Sequence, residues 1–83
     1  MFDKLDALIQ SNVRRGELQI TDNGLVGDQD WIDYIQGYLS RIRVRIDSLD
    51  PDQPLTKIYQ KRFKEKYGAI IKNMPKVKLW EGV

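Results

Sequence analysis

The sequence predicts a mainly α fold: a small three-helix domain with a short β-hairpin between the first and second helices. Three observations carry this expectation. Apolar residues recur every three or four positions over 2–13, 32–49 and 55–74. Period-two alternation beside turn-forming residues occurs around Asp22-Asn23-Gly24, and Gly16, Pro51 and Pro75 stand where helices must stop.

The first helix, about 2–14, rests on Phe2, Leu5, Leu8, Ile9 and Val13 at helical spacing, with Gly16 just beyond as a stop. In the hairpin, about 17–26, Leu18 and Ile20 alternate with polar residues, and Asp22, Asn23 and Gly24 are residue types that tolerate positive φ. Asp28-Gln29-Asp30 then opens a second helix, about 29–49, because carboxylates there accept from free N–H groups and oppose the positive end of the helix dipole.

That second helix contains "RIRVRI", residues 41–46, whose period of two suits a half-buried strand. The longer pattern overrides it. Ile32, Ile35, Leu39, Ile42, Ile46 and Leu49 are spaced 3-4-3-4-3 over 18 residues, a heptad-type register. On a wheel of about 100° per residue they fall within roughly 100°, and Trp31, Tyr34 and Tyr38 widen the arc to about 160°, more than one neighbouring helix covers. The second helix is therefore expected at the centre, packed on both other helices or on a second copy of itself. Two residues sit awkwardly: Gly37 costs roughly 1 kcal/mol in a helix interior, and Val44 faces solvent.

Two prolines within "DSLDPDQPL" end that helix, and Pro51 suits a first-turn position after an Asp50 cap. A third helix, about 55–73, carries Leu55, Tyr59, Phe63, Tyr67, Ile70, Ile71 and Met74 on one side, with Pro75 as terminator and 75–83 as an extended tail. The tail's Trp80 is expected to fold back onto the domain, where a small core gains much from one indole. The expected core is Leu5, Leu8, Ile9, Ile20, Ile35, Leu39, Ile42, Ile46, Tyr59, Phe63, Tyr67 and Ile70.

Composition narrows the chemistry. The 83 residues include no cysteine and no histidine, which removes a disulfide framework, a thiolate nucleophile, the commonest general base and the commonest zinc ligands. No cofactor motif or phosphate loop is present. Asp22, Asn23, Asp28, Asp30 and Asp33 cluster near glycines but lack the spacing of a calcium loop, so turn and cap chemistry accounts for them and no metal is expected. No run reaches the roughly 20 apolar residues needed to cross a bilayer, and "MFDKLDALIQ" carries acids where a signal peptide carries Lys or Arg. A cytoplasmic protein without membrane contact is expected, and its size alone would suit a phage or mobile element.

Charge is asymmetric. Residues 1–50 hold 6 Lys+Arg and 9 Asp+Glu, net −3, and residues 51–83 hold 8 and 3, net +5. Opposite signs favour association with another protein or a second copy, or an anionic partner for the C-terminal part. In a helical "RIRVRI" the arginines part company: Arg41 and Arg45 lie beside Tyr34 and Tyr38, and Arg43 stands apart. Trp31, Tyr34, Tyr38, Arg41, Arg45 and Trp80 are the candidate partner-binding residues, of types enriched at interface hot spots. Lys57, Lys61, Lys64 and Lys72 share one side of the third helix and, with Arg14 and Arg15, are the nucleic-acid candidates, against the plainer explanation that an amphipathic helix needs a solvated face. The expectation is a non-enzymatic interaction module, an accessory subunit, inhibitor or assembly component, with a nucleic-acid-binding regulator as the alternative.

Overall fold

The computed structural model describes residues 2–80. In chain order it comprises α1 (Asp3–Arg14), β1 (Leu18–Thr21), β2 (Gly24–Gly27), α2 (Gln29–Asp47), α3 (Pro54–Tyr67) and a 3-10 turn (Ile70–Asn73). This is the mainly α, three-helix fold with a hairpin between α1 and α2 that the patterning predicts.

α1 closes in a Schellman arrangement. The N–H of Gly16 donates to the Val13 carbonyl and that of Glu17 to the Asn12 carbonyl, while Gly16 takes a φ of 77°. The chain then enters an antiparallel hairpin with Thr21 opposite Gly24 and Leu18 opposite Gly27. Only Gly24 of the turn cluster uses positive φ; Asp22 and Asn23 stay negative, and the Thr21 hydroxyl accepts from the Asn23 N–H at 3.2 Å. At Gly27, φ is 133° and a Cβ would collide with the Glu17 carbonyl, so no other residue fits without shifting β1.

Asp28 caps α2 as expected, its carboxylate accepting from the N–H groups of Asp30 at 2.9 Å and Trp31 at 3.3 Å. Residues 41–46 are helical, and Ile32, Ile35, Leu39, Ile42 and Ile46 are all buried. Helix α2 is indeed central, touching α1, α3 and β2. Val44 is 62% exposed.

Four expectations need correction. Ile20 is 50% exposed, and Leu18 and Leu25 take its place inside. The reason is that β2, not β1, lies against the 3-10 turn, where the Asn73 amide donates to the Leu25 carbonyl at 2.8 Å. Leu8 and Tyr59 lie at the core margin, packed on it and only half-buried, and Leu55 is exposed. The third helix ends at Tyr67, not near 73: Gly68 and Ala69 keep helical φ and ψ, but the chain then tightens into a 3-10 turn. The following 3-10 turn buries Ile70 and Ile71 together, and Met74 and Val77 complete the core beyond it. Finally, Pro51 belongs to a turn in which the Asp50 carboxylate accepts from the Asp52 N–H, and it is Pro54 that opens α3.

Among the described residues no helix is long and apolar enough to cross a membrane.

Candidate interaction surface

The sequence-derived candidates separate into three places. Five of them, Trp31, Tyr34, Tyr38, Arg41 and Arg45, lie on one edge of α2 because their spacing of 3, 4, 3 and 4 keeps successive side chains above one another. Their rings touch in sequence: Trp31 and Tyr34 meet edge to face with centroids 6.0 Å apart, and Tyr34 and Tyr38 follow at 6.4 Å. A guanidinium closes each end, Arg41 at 5.5 Å from the Tyr38 ring and Arg15 at 6.0 Å from the Trp31 ring.

Arg15 holds its place through Asn12, a fully buried amide. The Asn12 Nδ2 donates to the Leu8 carbonyl at 2.9 Å, and its Oδ1 accepts from Arg15 Nη2 at 2.8 Å. The end of α1 thereby supplies one arginine of a surface otherwise built on α2. Two shallow depressions flank the aromatic row: one of about 400 Å³ lined by Leu8, Asp30, Trp31 and Tyr34, the other of about 260 Å³ lined by Tyr38, Arg41, Ile42 and Arg45. Tyr34 is 52% exposed, and Trp31 and Tyr38 are half-buried against the core.

Trp80 is elsewhere. It folds back, as expected, onto the side of α2 that carries Arg43 and Asp47, its ring 5.3 Å edge-on from Phe63 and under the Arg43 guanidinium at 5.0 Å. The indole N–H donates to the Asp47 carboxylate, and Arg43 donates to both the Asp47 carboxylate and the Lys78 carbonyl. Trp80 thus clamps the tail to α2 instead of joining the Trp31 edge. The part of the expected tail at 81–83 lies outside the described residues.

The basic candidates do not form one face. Lys57, Lys61 and Lys64 are exposed along α3. Lys72 has left that row because the helix stops at Tyr67, and its ammonium donates to the Asp22 carbonyl of the hairpin turn at 3.1 Å. Arg14 is exposed at the end of α1, and Arg15 is the aromatic-row member just described. Patterning put Arg15 among the nucleic-acid candidates and not on this edge, because a contact between α1 and the start of α2 leaves no periodic trace in either segment.

One polar cluster is structural. The Tyr67 hydroxyl donates to Asp6 Oδ1 at 2.7 Å while Lys66 Nζ donates to Oδ2 at 2.8 Å, tying α3 to α1. Burial of the phenol, then its bond to the Asp6 carboxylate, holds the Tyr67 hydroxyl far above the usual tyrosine range. The hydroxyl serves as a hydrogen-bond donor that joins α3 to α1.

No protein-family model, curated protein or solved structure matches the chain.

Proposed function

We propose that the protein is a non-enzymatic interaction module of the cytoplasm, an accessory subunit, inhibitor or assembly component, that binds another protein chain through the Trp31–Tyr34–Tyr38–Arg41–Arg45 edge of α2. One observation carries this: three aromatic rings in contact, bracketed by arginines, remain half-open while α1, α3, the hairpin and the tail pack against other parts of α2. Aromatic and arginine side chains offer large contact area at modest loss of side-chain freedom, which is why they dominate interface energetics. The absence of cysteine suits a reducing compartment, and the absence of histidine and cysteine leaves few groups for catalysis.

A photo-crosslinking residue placed at position 34, compared with one at position 61 on α3, tests the proposal in cells of the native host. Protein adducts at 34 and few at 61 are expected. Adducts confined to 61, or to nucleic acid, would contradict it.

The second proposal, a nucleic-acid-binding regulator, keeps a narrower footing: Lys57, Lys61 and Lys64 still form an exposed row on α3, though without Lys72. Replacing all three with alanine would abolish a steeply salt-dependent affinity for DNA or RNA if this reading holds.

A further inference from the structure

Helix α2 carries a second heptad-type row besides the one it buries. Asp30, Tyr34, Gly37, Arg41, Val44 and Ser48 are spaced 4-3-4-3-4, fall within about 80° on the helical wheel, and are all exposed. Their mean direction lies roughly opposite the buried row. The row includes both residues that fit the helix poorly as a solvated surface, the mid-helix glycine and the exposed valine. Nothing inside the chain requires Gly37, since a Cβ there would have no neighbour within 4 Å.

We propose that this row, with Tyr38 and Arg45 along its edge, is the contact between two copies of the chain, paired antiparallel about a two-fold axis that passes between Gly37 and Tyr38. The inference rests on the interaction-surface reading above and names its partner. In that register residue i of one copy faces residue 75 − i of the other, and one alignment matches three pairs. Asp30 meets Arg45 of the second copy, Tyr34 meets Arg41, and the Tyr38 ring lies over Gly37, where the missing side chain lets the backbones approach. Each pair occurs twice by symmetry.

Charge selects the second copy, and its direction, over an unrelated partner. The row is acidic at its start, with Asp30 and neighbouring Asp33, and basic toward its end, with Arg41 and Arg45. Antiparallel pairing joins opposite charges and opposed helix dipoles, whereas parallel pairing sets Asp30 on Asp30 and Arg41 on Arg41. The side chains of Asp30 and Arg45 form no ion pair among the described residues; those belong to Arg43–Asp47 and Lys66–Asp6. The tyrosine contacts supply affinity, and the exposed ion pairs set the register.

Because the chain has no cysteine, single cysteines report the register directly. Under mild oxidation, a mixture of D30C and R45C should give a mixed disulfide dimer, while either alone stays uncrosslinked, since the two copies of each position lie about 22 Å apart along the helix axis. Sedimentation should show Asp30→Arg and Arg45→Asp each weakening the dimer roughly tenfold and the double variant restoring it. Crosslinking of each single variant with itself would overturn the antiparallel pairing. A chain that sediments as a monomer up to millimolar concentration, yet crosslinks a different protein from position 34, would overturn the dimer and leave the binding surface standing. No adduct at position 34 would overturn both.

Discussion

The two rows of α2 use the same spacing for opposite ends. The inner row, Ile32, Ile35, Leu39, Ile42 and Ile46, is branched aliphatic throughout and buried. The outer row, Asp30, Tyr34, Gly37, Arg41, Val44 and Ser48, mixes charge, one aromatic, one valine, a glycine and a serine, and all of it is exposed. Heptad-type spacing therefore says only which residues share a side of a helix; residue type decides whether that side folds the chain or meets another surface. If the division holds, substitutions on the inner row act on stability and those on the outer row act on association.

The largest effect should come from the inner row. Leu39 is fully buried, so Leu39→Ala should cost about 2–5 kcal/mol by denaturant titration. In a domain this small such a loss approaches the whole folding free energy. Next is the tail clamp. Trp80→Ala removes the indole packed on Phe63 and under Arg43, and should cost about 1–2 kcal/mol while leaving association intact. If association fell as well, Trp80 would belong to the interface after all.

Tyr67→Phe deletes the hydroxyl bonded to Asp6 and should cost about 1 kcal/mol at neutral pH. Its pH signature has a definite sign. The folded phenol is held above its ordinary range, so its contribution is constant at neutral pH and shrinks once unfolded tyrosine ionises, above about pH 10. The wild-type protein should lose stability there with a steeper slope than Tyr67→Phe. The smallest change in stability belongs to the outer row: Tyr34→Ala, at a 52% exposed ring, should stay within about 0.5 kcal/mol of wild type. A loss as large as that of Leu39→Ala would erase the distinction between the rows.

Much of this fold was legible in the sequence because α1 and α2 are built from residues whose periodicity and burial coincide. Asp28, Gly16 and the 3-4-3-4-3 row each state a local rule that tertiary contacts leave in place. The end of α3 was not legible in the same way. An apolar pattern running from Leu55 to Met74 fits one continuous helix, but Gly68 weakens it, and a 3-10 turn beside β2 buries Ile70 and Ile71 together. Ile20 and Leu25 differ for a similar reason, since only the three-dimensional position of Asn73 decides which strand is covered. The Tyr34, Tyr38, Arg41 and Arg45 edge followed from helical geometry alone. Arg15 and Leu8 joined it through α1, and Trp80 left it because the tail reaches the other side of α2.

Gly37 separates the two rows most directly, because one methyl group should act on them with opposite sign. Gly37→Ala meets no neighbour within the chain and improves helix propensity by roughly 0.5–1 kcal/mol. Denaturant unfolding at a concentration where the protein is monomeric, paired with sedimentation equilibrium, measures both effects on one variant. A more stable monomer that dimerises about tenfold more weakly is the predicted result. An unchanged or tighter dimer would contradict close approach at Gly37, and with it the assignment of the outer row to self-association.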